Sequence, residues 1–159
     1  MSKYIEYKNF YIYTSLAIIS FSLNFYIASK GVFPVDTFIH YDNGYRILLG
    51  DNPVKDYWIV HGFIIDYLQA FFFKIFGNNW YSYIAHSSIF NSAITLATFF
   101  TFRLLKIDIL LSCFFSISFA ILAYPVSGTP FLDLHSSFFS LLGIYFAIIA
   151  LLKNKNTFW

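Results

Sequence analysis

The segment WYSYIAHSSIFNSAITLATFFTFRLLKIDILLSCFFSISFAILAYP, residues 80–125, holds two long apolar runs joined at Arg103-Leu104-Leu105-Lys106. A bilayer core of ~30 Å takes roughly 20 residues of helix to cross, and each run is close to that length. Together they read as a helical hairpin in a membrane. The basic link marks its cytoplasmic side, because Lys and Arg flanks are retained there.

Working outward, residues 10–29 and 131–152 are apolar runs of the same kind. The expected fold is therefore all-α and polytopic, one transmembrane domain over 1–159 with spans at about 10–29, 80–102, 107–125 and 131–152. A fifth apolar stretch, 62–76, is about 15 residues long and contains Asp66, Gln69 and Lys74, which suits an interfacial or re-entrant helix. With the N-terminus inside, Lys3, Lys8, Arg103, Lys106, Lys153 and Lys155 all fall on the inner side. A crossing at 62–76 would break that pattern. The first run follows Lys3 and Lys8 but ends Ile27-Ala28-Ser29-Lys30 without a small-x-small cleavage site, so it reads as a retained signal anchor.

Composition agrees. Hydrophobic residues are 58% of the chain and charged ones 11%, against roughly 25% charged in soluble domains. A net charge of +2 without a basic stripe excludes nucleic acid as the expected partner. Cys113 is the single cysteine, so no intrachain disulfide can form.

This topology puts the loop 30–79 and the 124–130 turn outside. Asp36, Asp42, Asp51, Asp56, Asp66 and Asp133 then gather at the outer face with His40, His61, His86 and His135, leaving Glu6 and Asp108 inside. Within the loop, 36–49 has Phe38, Tyr41, Tyr45, Leu48 and Leu49 at helical spacing, with Asp36 placed to act as N-cap and Gly50 as a stop. Asp42 and Arg46 are an i,i+4 pair. His40, His61, Asp36 and Asp56 could hold a divalent metal, although they lack a recognisable ligand spacing. Asp133 and His135 are two apart and should face different ways, while His86 and Asn91 suit hydrogen bonds between helices.

The order Asp36, Gly50, Pro53, Asp56, His61-Gly62, Tyr67-Leu68 and Phe76-Gly77 resembles the start of a polytopic GT-C glycosyltransferase. So does Tyr124-Pro125 through Thr129-Pro130-Phe131-Leu132-Asp133. These are the membrane sugar transferases with polyprenyl-phosphate donors, including the dolichyl-phosphate-mannose mannosyltransferase and aminoarabinose transferase groups. The resemblance covers most of residues 10–152. It departs at Gly62-Phe63, where the family has Gly-Pro, and in having about half the usual spans.

What the resemblance implies is transfer of a sugar from a polyprenyl-phosphate donor to a glycan or lipid acceptor of the cell envelope. The setting would be a bacterial inner membrane, with both termini cytoplasmic. Asp36 matches the acid that deprotonates or orients the acceptor hydroxyl, with Asp42 the competing candidate. Arg46 or Lys55 would stabilise the leaving phosphate, and Asp56, His61 and Asp133 would bind substrate. The missing spans imply an N-terminal part, or a small relative that needs a C-terminal partner chain. The competing reading is a non-enzymatic four-span protein, a flippase component or a scaffold subunit.

Overall fold

The computed structural model describes residues 2–31 and 37–153, with side chains described over 10–31 and 37–152. The expected all-helical class holds. Six α-helices follow in order: α1 (Ser2–Lys30), α2 (Ile39–Leu49), α3 (Ile64–Phe76), α4 (Trp80–Leu104), α5 (Ile109–Leu122) and α6 (Leu132–Lys153), with a 3₁₀ turn at Tyr124–Val126. Among the described residues the one β feature is an isolated bridge between Pro53 and Tyr57.

Local chemistry sets the helix ends. Asn79 opens α4 by accepting from the Ser82 amide at 2.9 Å, and Asp108 opens α5 by accepting from the Leu110 amide at 2.8 Å. Between α4 and α5 the Arg103 guanidinium donates to the Ile107 carbonyl, closing the basic turn. Pro125 has no amide hydrogen to continue α5, and the chain turns there. Gly50 ends α2 at φ 101°, as expected of a left-handed cap. The helix opens at Ile39 with Phe38, not Asp36, in the cap position.

Among the described residues, three helical stretches are long and apolar enough to cross a membrane: Phe10–Lys30, Ile109–Val126 and Leu132–Leu152. Helix α4 differs from expectation. At 25 residues it reaches about 37 Å, but Ser82, Ser87, Ser88, Asn91, Ser92, Thr95, Thr98 and Thr101 dilute its apolar character.

Those polar groups are the interior of the protein. Helix α4 packs against α1, α3, α5 and α6. Asn91 donates to the Ser20 carbonyl and the Ala120 carbonyl, both at 3.1 Å, tying α4 to α1 and α5. The Ser20 and Thr95 hydroxyls meet at 2.9 Å, and Asn24 lies 2.9 Å from the hydroxyls of Ser87 and Ser88. Outside, Ile18, Leu110, Leu122 and Leu151 are all more than 60% exposed. Polar inside and apolar outside is the arrangement of a chain whose surroundings are lipid, where helices associate through small residues and hydrogen bonds.

The two short helices follow the same rule. Helix α2 shows the expected apolar stripe, but Phe38, Tyr45, Leu48 and Leu49 face outward while His40, Asn43 and Gly44 are buried against α3. Helix α3 has 13 residues, too short to span, and it bridges α2 to α4. It ends at Gly77 with φ 86° and ψ 157°, a region open essentially to glycine alone. A Cβ there would also lie 3.3 Å from the Asn79 side chain. Gly77→Ala should therefore cost about 1–3 kcal/mol, read as a lowered unfolding midpoint in detergent.

Candidate functional site

Asp66 and Gln69 are three apart on α3 and share its inner face, both fully buried. Asp66 collects two histidines, and Gln69 holds one that in turn meets a second. His40 and Asn43, likewise three apart, come from the inner face of α2, and His61 comes from the loop before α3.

Three donors converge on the Asp66 carboxylate. His40 Nδ1 donates to Oδ1 at 2.8 Å, Asn43 Nδ2 to Oδ2 at 3.1 Å, and His61 Nε2 to Oδ2 at 3.0 Å. An ionised carboxylate only accepts, so these partners fix the proton on Nδ1 of His40 and on Nε2 of His61. The two rings meet edge to face with centroids 4.6 Å apart. A buried carboxylate is costly unless it is fully hydrogen-bonded, and here it is. Burial, then the charge of Asp66, push the nearby Tyr57 phenol up to about 12.

The second pair lies one turn along α3. His86 Nδ1 is 2.8 Å from Gln69 Oε1, and its Nε2 is 3.0 Å from Nε2 of His135. Phe72 stacks on the His86 ring, and His135 Nδ1 lies 3.2 Å from the Phe131 carbonyl. His86 and Asn91 thus make the interhelical bonds expected of them.

A cavity of about 170 Å³ opens beside the first pair, lined by His40, His61, Val60, Phe131 and Asp133 among others. It joins the loop and α2 to the start of α6. His61 and Asp133 therefore line the same cavity. Asp133 is exposed at the rim, while His135, two residues on, is buried against His86. The two do face different ways.

The remaining candidates lie elsewhere. Asp42 and Arg46 form the expected pair at 2.8 Å, on the exposed side of α2. Arg46 also reaches Asp51 at 3.9 Å and lies over the Tyr57 ring. Its guanidinium is pushed above its ordinary range by the hydrogen bond to Asp42. Lys55 is exposed. Asp56 closes an exposed turn by accepting from the Asn52 amide at 2.8 Å, which holds its carboxyl below the usual range. Asp36 lies outside the described residues. Of the expected metal-ligand set, His40 and His61 are adjacent, and Asp66 rather than Asp56 stands between them.

Asp66 is the buried, hydrogen-bonded acid that the sequence reading did not single out as a candidate. Its signal was a lone acid three residues from Gln69 in an otherwise apolar stretch. Comparison with family models, with curated proteins and with solved structures finds no match to this chain.

Proposed function

We propose that this chain is the N-terminal part of a membrane glycosyltransferase, moving a sugar from a polyprenyl-phosphate donor to a cell-envelope acceptor at the outer face. In this reading α4 is the fourth span, its polar side covered by α1 and α5, and both termini are cytoplasmic in a bacterial inner membrane.

The observation that carries the reading is the shared cavity. Residues of the first outer loop and Asp133 at the mouth of α6, the two regions of family resemblance, line one largely apolar recess into which His40, His61 and Asp133 bring the polar groups. Around it lie apolar faces suited to a lipid chain, including Phe63, Ile64, Tyr67 and Phe71 of α3 and its approach. In the reaction the acceptor oxygen bonds to the anomeric carbon as the carbon–oxygen bond to phosphate breaks. The hydroxyl proton passes to a carboxylate or imidazole, and the phosphate leaves on its lipid. Asp36 and Asp133 are the carboxylates assigned to acceptor deprotonation and orientation.

Transfer of a labelled sugar in membranes tests this. Asp36→Ala and Asp133→Asn should each lower the rate by about 10²–10⁴-fold, while Asp51→Asn, on the exposed Arg46 side, should leave it unchanged. A chain that inserts yet transfers nothing, alone or with a C-terminal partner chain, would overturn the reading. The second reading, a non-enzymatic four-span protein, draws on the cavity's size. Small-molecule sites usually exceed about 300 Å³.

A further inference from the structure

We infer that His40, His61 and Asp66 form a binding site for a divalent transition-metal ion, open toward the cavity at Asp133. The inference stands apart from sugar transfer and holds whether or not the chain is an enzyme.

Geometry comes first. The three residues each offer a ligand atom, and these atoms all lie within 4.8 Å of one another. The bonded pairs are 2.8 and 3.0 Å apart, with His61 Nε2 also 3.3 Å from Oδ1. A tetrahedral zinc site with bonds of 2.0–2.1 Å sets its ligand atoms about 3.3 Å apart. Admitting an ion needs each histidine–carboxylate pair to open by a few tenths of an ångström, with both imidazole nitrogens already within 4.8 Å of each other.

Proton bookkeeping also fits. Each imidazole can present a lone pair to the ion by carrying its hydrogen on the other ring nitrogen. Asn43 continues to donate to Asp66, the kind of outer partner that orients a ligating carboxylate. Asp66 and Asp133 carry two negative charges toward this region, and no Lys or Arg is among the residues that line the cavity. The field therefore suits a cation and not a free phosphate.

The ligand set selects the ion. Two imidazoles and one carboxylate favour zinc-like borderline metals, whereas Mg²⁺ and Ca²⁺ prefer all-oxygen shells. Three protein ligands beside a cavity leave a coordination position for water or substrate. The ligands also come from three segments, α2, the loop and α3, so the ion would staple the loop to both helices.

The full chain, purified in detergent without a polyhistidine tag, stripped with chelator and then incubated with Zn²⁺ or Mg²⁺, should retain about one Zn²⁺ per chain after washing and no Mg²⁺. Co²⁺ in place of Zn²⁺ should give visible d–d bands. His61→Gln and Asp66→Asn should each weaken Zn²⁺ binding by about 10–100-fold, and Asp51→Asn should not. Because Asp66 also holds the fold, His61→Gln, which alters a loop residue, decides the matter. The inference fails if the washed chain holds no Zn²⁺, or if His61→Gln binds it as tightly as the parent chain. It fails too if Mg²⁺ competes equally.

Discussion

Asp66→Leu should lower the unfolding midpoint of the detergent-solubilised chain by on the order of 10 °C, since 1 kcal/mol shifts a domain of this size by about 2–4 °C. Leucine restores the volume but accepts nothing. His40, Asn43 and His61 then keep three polar donors in a buried place without a partner. Each such donor costs about 1–3 kcal/mol. Asp66→Asn should fall between, since its remaining carbonyl accepts from one neighbour while its new amide hydrogens face donors. A leucine variant that melts within about 2 °C of the parent would show that the carboxylate does not hold α2 to α3.

Gly44→Leu should be nearly as severe, for a steric reason. At Gly44 the α2 backbone lies close against α3. A Cβ built there meets Gln69 Cγ at 2.8 Å, Gln69 Cβ at 3.0 Å and the Ala70 amide nitrogen at 3.3 Å. Gln69 is pinned by its bond to His86, and the Ala70 amide is backbone, so neither can step aside cheaply. Overpacking of this kind costs about 1–3 kcal/mol for extra methylenes, and leucine at a helix seam belongs at the upper end. The damage should also be directional. Levering α2 from α3 draws His40 off Asp66, so Gly44→Leu should weaken Zn²⁺ binding at a residue that ligates nothing. The double variant with Asp66→Leu should lose less stability than the two single changes added together, because both open the same seam. Full additivity by thermal unfolding would count against this account.

Much of the fold was legible because apolar length is a strong signal. The runs at 10–29 and 131–152 became α1 and α6, and the Gly50 stop and the short helix after His61 appeared where the residues asked for them. Helix α4 was legible as a helix of spanning length, but its composition made it the hydrogen-bonded centre rather than a fourth apolar rod. The stripe of α2 was visible too, yet periodicity names a face and not the medium that face meets. Phe38, Leu48 and Leu49 look outward because the buried neighbour, α3, offers Asp66 and Gln69 instead of a greasy surface. Asp66 itself could not be valued from its own neighbourhood. Of its partners, His61 is five residues upstream and His40 is 26, in another helix, so only the packing of α2 on α3 reveals the trio. Asp133 was legible by position, at the mouth of an apolar run following a Pro-containing turn.

On the four-span proposal, the polar side of α4 also has a consequence for biosynthesis. Ser87, Ser88, Asn91 and Thr95 would carry bare hydroxyls and amides into hydrocarbon if α4 left the insertion machinery alone. Their partners Ser20 and Asn24 were made some 70 residues earlier, on α1. The nascent chain must then hold α1 beside the exit until α4 arrives, and the two enter the lipid as a pair.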